Sequence, residues 1–302
     1  MPPKVTLIIP TYNRARLLPR ALDSALSQDY PALDIIIVDD GSSDNTLEVL
    51  APYLSHPRIR LVSHQHNRGV TAAKNTGLNH LPADTVYFGI LDSDDSLYPN
   101  AISSLVAAFA NGHYSQVFGW CEDPDSGERT GTSSVREGVI RYEDVLCGRF
   151  RGEFWQLTRL ELLGNLRFDE RAGGGEGSVW WPLLKVAPAL LIAAVVRDYH
   201  RSGTDRVNLP TLTPTGALKK MWVFRSELNA VGEDMRSLCP AQYAAHCLEE
   251  AKWACLAGHK ADGWRAWRQA ICAHRSLRAL YMMALFPIPT NLLRRLFALR
   301  YA

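Results

Sequence analysis

The chain has no run of about 20 consecutive apolar residues, the length a membrane-spanning helix needs. Its apolar stretch from Ala187 to Val196 is far too short for that purpose. The first buried-type segment, Val5 to Ile9, begins almost at the N-terminus, so no signal peptide is expected. Cysteine is sparse. The six residues Cys121, Cys147, Cys239, Cys247, Cys255 and Cys272 are scattered, and none forms a C-x-x-C pair. That argues against a zinc or redox motif and for reduced core thiols. Three further motifs are missing. No G-x-G-x-x-G follows the first strand, no G-x-x-x-x-G-K-[ST] occurs, and no G-x-S-x-G is present. These absences count against a dinucleotide site, a P-loop NTPase and a serine hydrolase. A net charge of +2 gives no argument for or against nucleic acid.

What remains is ordinary for a globular protein: 302 residues, 47% hydrophobic and 21% charged. That length suits one large domain, or one domain with an appendage. The first hundred residues alternate strand and helix. Val5 to Ile9, Asp34 to Val38, Ile59 to Val62 and Val86 to Leu91 read as strands, being short, apolar and rich in β-branched residues. Between them, Leu18, Leu22, Ala25 and Leu26 share a helical face. Asp44-Asn45-Thr46 opens a short helix, and Val70 to Leu81 forms another. Apolar strands alternating with helices predict a parallel sheet covered on both faces.

Each strand ends in a polar cluster. In order these are Thr11-Tyr12-Asn13-Arg14, Asp39-Asp40-Gly41-Ser42-Ser43-Asp44, His66-Asn67-Arg68-Gly69 and Asp92-Ser93-Asp94-Asp95. Parallel strands bring all of them to one edge, where open α/β sheets bind ligands. Carboxylates as close as Asp92, Asp94 and Asp95 repel one another unless a cation sits among them. Hard oxygen ligands suit Mg²⁺ or Mn²⁺, which usually arrive with phosphate oxygens. The plainer alternative is an acidic turn capping the next helix.

In this order, Ile9-Pro10-Thr11-Tyr12-Asn13-Arg14, Val38-Asp39-Asp40-Gly41-Ser42-Ser43-Asp44, Asn67-Arg68-Gly69 with Ala73-Lys74-Asn75-Thr76-Gly77, and Leu91-Asp92-Ser93-Asp94-Asp95 resemble the signatures of the family 2 glycosyltransferases. These are inverting enzymes of the GT-A fold, an α/β Rossmann-like architecture with a mostly parallel sheet and helices on both faces. The resemblance implies a nucleotide-sugar donor, UDP-linked by preference, and Mn²⁺ or Mg²⁺. Pro10, Thr11 and Tyr12 would line the nucleoside pocket, and Asp40, with Asp39, would accept from the base. Arg14 and Lys74 would face the diphosphate, with Asn67 and Ser93 beside the nucleotide. Asp92 and Asp94 match the family's D-x-D, Asp94 as metal ligand and Asp92 near metal and ribose, with Asp95 as a substitute.

An inverting transfer also needs a base for the attacking hydroxyl. In the family this carboxylate lies in a Glu-Asp pair between a Phe-Asp-Glu segment and a Trp-bearing helix. Here Phe168-Asp169-Glu170 precedes Gly173-Gly174-Gly175-Glu176-Gly177-Ser178-Val179-Trp180-Trp181, which puts Glu176 in the matching place and Gly177 where Asp is usual. Asp169 and Glu170 are the alternatives. Trp180 or Trp181 would stack on an acceptor sugar, unless both are core. Tyr199-His200-Arg201 resembles the loop over the diphosphate, with His200 a metal ligand and Arg201 a phosphate partner.

The Pro/Thr-rich stretch Pro210 to Pro214 suggests a boundary. The expected organisation is a catalytic domain over 1–209, divided into a nucleotide-binding half (1–100) and an acceptor-binding half (101–209), then a helical region over 210–302. Within that region, Ala244 to Ala257 and Trp264 to Ile271 read as two helices joined at Gly258. The tail from Ser276 to Tyr301 mixes Leu, Met and Phe with Arg275, Arg278, Arg294, Arg295 and Arg300, a composition able to lie on an anionic membrane. The expectation is a cytoplasmic enzyme, peripheral at the inner membrane face, that glycosylates a saccharide or lipid-linked saccharide in surface polysaccharide synthesis and does not bind nucleic acid. A nucleotidyltransferase and a non-catalytic nucleotide-sugar-binding relative are the rivals.

Overall fold

The computed structural model describes residues 1–200 and 212–301. They form eleven strands: β1 (Lys4–Thr11), β2 (Leu33–Asp39), β3 (Ile59–Ser63), β4 (Thr85–Ile90), β5 (Ser96–Leu97), β6 (Gln116–Glu122), β7 (Gly131–Ser133), β8 (Gly138–Ile140), β9 (Phe150–Gly152), β10 (Phe154–Arg159) and β11 (Ala189–Asp198). The α-helices are α1 (Leu18–Leu26), α2 (Thr46–Leu50), α3 (Val70–Asn79), α4 (Ala101–Phe109), α5 (Tyr142–Leu146), α6 (Gly177–Val186), α7 (Pro214–Leu238), α8 (Pro240–Ala257), α9 (Lys260–Ala273), α10 (Leu277–Met283) and α11 (Thr290–Tyr301). Two compact units divide the chain. One holds Met1–Val145, Arg149–Arg167 and the chain from Leu183 through β11; the other holds Leu146–Gly148, Phe168–Pro182 and the helices from α7 onward. The boundary expected near residue 210 lies outside the described residues.

The first unit is built on a sheet of order β3-β2-β1-β4-β10-β6-β11-β5, with β8 paired to β11. β1, β2, β3 and β4 are parallel to one another. β10 then runs antiparallel to both β4 and β6, and β11 returns parallel to β6. The sheet is therefore parallel over β1 to β4, as the alternation of strands and helices predicts, and mixed beyond them. The core on one face joins Val5, Leu7, Ile9, Ile35 and Ile37 to Leu18, Leu22 and Ala25 of α1. On the other face α3 packs so closely that a Cβ at Gly77 would lie 2.3 Å from Ile8 Cγ2, which only glycine avoids.

Helix ends in the second unit follow local chemistry. Thr213 accepts the Gly216 amide ahead of Pro214, and Ser276 accepts the Ala279 amide at the start of α10. Gly258 closes α8 in the left-handed region, φ 93°, where the sequence places its helix junction. Ala217, Met221, Trp253, Leu256, Phe286 and Leu293 form a shared core. In the same unit, Arg225 Nη2 lies 2.7 Å from Glu250 and 3.2 Å from Asp262. Cys147 and Cys239 are joined as a disulfide, with Cα atoms 5.4 Å apart, which corrects the expectation of reduced thiols for this pair. Among the described residues, no helix is long and apolar enough to cross a membrane.

Candidate active site

In the first unit, the parallel strands β1 to β4 deliver the expected polar clusters to one edge. Pro10 and Thr11 are buried at the end of β1, and the Thr11 hydroxyl has no hydrogen-bond partner among the described residues. Tyr12 follows, exposed. Asn13 takes a left-handed turn, φ 51°, from which its side-chain oxygen accepts the Ser43 amide at 2.8 Å. This ties the first loop to the second.

The neighbouring carboxylates Asp39 and Asp40 are both buried but differ in their engagement. Asp40 accepts the Arg68 amide at 2.9 Å, the Gly69 amide at 2.7 Å and a bond with His64 Nδ1 at 2.7 Å. It is thereby committed to holding the loop between β3 and α3. Among the described residues, Asp39 meets only the Ser42 amide, at 3.3 Å from either oxygen. Asp39 therefore has more accepting capacity left than Asp40, the residue chiefly expected to meet the base. Asn67 is exposed on the loop that Asp40 anchors.

The turn after β4 is closed by the Asp95 amide donating to the Asp92 carbonyl at 3.1 Å. It turns two carboxylates outward and one inward. Asp92 and Asp94 are 41% and 37% exposed, whereas Asp95 is 2% exposed. Cations surround the outward pair: Lys74 Nζ lies 3.7 Å from Asp92, Arg197 Nη1 lies 4.0 Å from Asp92, and Arg14 Nη2 lies 4.0 Å from Asp94. Arg20 donates to the Asp94 carbonyl. Ser93 is buried between them.

Asp95 is not the spare metal ligand the sequence suggested, because it pairs with the buried Arg197 at 3.3 Å. Burial raises its carboxyl to about 7, with Arg197 pulling against that rise and Asp92 and Asp94 adding to it. Arg197 also meets Glu153 Oε2 at 3.2 Å and donates from Nε to Cys121 Sγ at 3.2 Å. Sequence reasoning missed this residue. Its one signal is a charge at the end of the apolar β11.

His200 follows β11, and its amide donates to Asp95 at 3.3 Å. Its Nε2 is buried with no partner among the described residues. Burial, with the nearby Arg20 charge, lowers its pKa and keeps the imidazole neutral, the form that binds metal. Arg201 lies outside the described residues.

A divalent ion fits this chemistry. Mg²⁺ and Mn²⁺ bound with phosphates need only one or two protein carboxylates. Asp94 and Asp92 supply exposed oxygens, and His200 has an orphaned nitrogen. No cluster of three or more His, Cys, Asp or Glu able to hold a metal alone is present among the described residues.

The second unit contains the other expected groups. The glycine-rich loop turns through left-handed Gly174 and Gly175, φ 117° and 83°, before α6. The Glu176 carbonyl accepts the Val179 and Trp180 amides and starts the helix. Trp180 Nε1 donates to the Glu176 carboxylate at 2.9 Å. Asp169 is gripped by Arg171 through two bonds of 2.8 Å, and Arg171 lies 3.6 Å over the Trp222 ring. That removes Asp169 from contention as a base; Glu170 is exposed. Trp180 is buried edge-on against Phe168, which corrects its assignment to an acceptor sugar. Trp181 is half-buried, 5.8 Å from the His246 ring.

Comparison with known proteins agrees with this arrangement. Residues 6–165 match the profile of "Glycosyl transferase family 2". A Campylobacter jejuni GalNAc(5)-diNAcBac-PP-undecaprenol beta-1,3-glucosyltransferase is 32% identical over 99% of this chain and 98% of its own length. Escherichia coli chondroitin synthase is 41% identical, but over only 35% of this chain and 15% of its own length. The fold matches residues 1–349 of S. aureus TarS in complex with UDP-GlcNAc, with a TM-score of 0.71, 16% identity, and coverage of 98% of this chain and 91% of that one. It also matches a Pyrobaculum calidifontis mannosyltransferase in complex with GDP-Man and Mn²⁺, with a TM-score of 0.56, 23% identity, and coverage of 94% and 79%. The chain belongs to glycosyl transferase family 2 and is a glycosyltransferase with a GT-A-like mixed α/β fold and a helical C-terminal region.

Proposed function

We propose that the chain is an inverting, metal-assisted glycosyltransferase. It moves a sugar from a nucleoside-diphosphate donor, UDP-linked by preference, to a hydroxyl of a lipid-linked saccharide in surface polysaccharide synthesis. The observation that carries this reading is the exposed pair Asp92 and Asp94, ringed by Lys74, Arg14 and Arg197 at 3.7 to 4.0 Å. An acidic turn serving only as a helix cap has no use for three cations.

In the proposed reaction, the acceptor oxygen forms a bond to the anomeric carbon while its proton passes to the Glu176 carboxylate. The bond from that carbon to the diphosphate breaks on the opposite face, inverting the centre. The nucleoside diphosphate departs with the electron pair, and Arg14 and Lys74 stabilise the charge it gains. A metal held by Asp94, Asp92 and His200 would add Lewis-acid stabilisation of the same oxygens. Asp39 accepts from the uracil N3–H, and Thr11 and Tyr12 enclose the nucleoside.

The lipid-linked acceptor is supported by the substrate in the name of the Campylobacter relative, which spans nearly the whole chain. The C-terminal helices support a peripheral membrane position. Leu277, Leu280, Tyr281 and Met283 of α10 and Leu292 and Leu296 of α11 are exposed, beside Arg278 and Arg294. The decisive assay incubates the protein, Mn²⁺ and UDP-glucose with an undecaprenyl-diphosphate-linked saccharide and reads UDP release and product anomeric configuration by NMR. Acceptor-dependent UDP release with inversion is expected. Retention, or transfer of a nucleotidyl group, would contradict the proposal.

A further inference from the structure

Glu227, on α7, is a carboxylate that the reaction above leaves unused. It is 7% exposed in the second unit. It accepts the Gly177 amide, and its Oε1 lies 2.9 Å from where a Cβ on residue 177 would stand. The same Cβ would come within 2.7 Å of the Trp181 ring. Residue 177 must therefore lack a side chain for the Glu227 carboxyl to rest against the backbone directly after Glu176.

His246 Nε2, from α8, faces Glu227 Oε2 at 3.6 Å, while its Nδ1 bonds the Gln242 carbonyl at 3.0 Å. A carbonyl only accepts, so the imidazole proton is on Nδ1 and Nε2 is bare. Burial lowers the His246 pKa and raises that of Glu227 to about 8. Both shifts favour the uncharged pair at neutral pH, with one proton on the Glu227 carboxyl and one on His246 Nδ1. A buried carboxyl so placed costs stability that an apolar side chain of similar size would not.

We propose that Glu227 is a positioning residue for Glu176. Its carboxyl, set between the Gly177 amide and His246, fixes the first turn of α6 and the direction of the Glu176 carboxylate. This rests on the reading of Glu176 as the base. Glu227 stays neutral below its own pKa and so adds no charge to this turn. When Glu227 ionises against a neutral His246, the new charge repels Glu176 and disturbs the turn.

The test follows UDP release from UDP-glucose with the lipid-linked acceptor, across pH, in the wild type, Glu227→Gln, Glu227→Leu and Glu176→Gln. Wild-type kcat is expected to fall as pH passes about 8, where Glu227 ionises. Glu227→Gln keeps the Gly177 bond and cannot ionise, so its kcat stays within about threefold at neutral pH and does not fall in step with the wild type. Glu227→Leu is expected to lose about tenfold or more in kcat with UDP binding and melting temperature retained. Superimposed pH profiles for wild type and Glu227→Gln overturn the proposal even if the Leu variant fails to fold. So does a folded Glu227→Leu of wild-type kcat while Glu176→Gln is inactive. An active Glu176→Gln overturns the base assignment on which the proposal rests.

Discussion

Trp180 Nε1 donates to Glu176 Oε2 at 2.9 Å, across one turn of α6. The donor ring is itself fixed edge-on by Phe168. A buried tryptophan thus aims the carboxylate that would take the acceptor proton. Trp180→Phe keeps the packing and removes the donor. It should cut kcat about tenfold, the worth of one charge-assisted bond, with UDP affinity unchanged. Steady-state kinetics beside nucleotide titration separate the two effects.

Asp39 and Asp40 should part company on mutation. Asp40→Ala orphans the Arg68 and Gly69 amides and should cost about 2 kcal/mol in urea melts. Asp39→Ala strips only two long contacts to Ser42, so its stability should change little while UDP affinity falls. Equal stability losses in the two variants would contradict the assignment.

Arg197→Met breaks a buried ion pair and leaves Asp95 facing an apolar chain. The expected cost is about 3 kcal/mol or more by denaturant titration, because the carboxyl left behind must protonate or stay buried without its partner. Metal-linked nucleotide binding should weaken with it, since Asp92 and Asp95 share this arginine.

Stability should also depend on Glu227. Its pKa is raised in the folded state, to about 8 from 4.5, so its contribution is complete below about 4.5 and is lost as pH climbs through 8. His246 shifts the opposite way, down from 6.5, and stays neutral above that value. Asp95, raised to about 7, titrates in the same window, so melting temperature from about pH 6.5 to 9 is read as the difference between wild type and Glu227→Gln, which removes only the Glu227 contribution. The wild type should lose stability over that window relative to Glu227→Gln.

The four strand-end clusters were legible because parallel strands bring them to one edge whatever the packing details. Asp92 and Asp94 stood out because close carboxylates after a buried strand repel one another without a counter-charge, while the same residues also suit an acidic turn capping a helix. The roles of Asp39 and Asp40 could not be separated, since which one turns toward the β3–α3 loop is a matter of three dimensions. Glu227 and the Cys147–Cys239 pair were invisible for a similar reason. Glu227 is one charge in a mixed helical pattern, and the two cysteines are 92 residues apart, so only the tertiary fold gives either a meaning. The antiparallel β10 reads as any half-buried strand would, and periodicity carries no information on its direction.

The central claim is that Asp92 and Asp94 hold a metal for a nucleoside diphosphate. It is tested most directly by the melting temperature with UDP, GDP, dTDP or CDP, each with and without Mn²⁺, in the wild type and in Asp92→Asn/Asp94→Asn. The account predicts a rise of roughly a few degrees with UDP only when Mn²⁺ is present, absent in the double variant. No metal-dependent shift with any nucleotide, or an equal shift in the variant, would reduce the carboxylate pair to a structural turn and contradict the account.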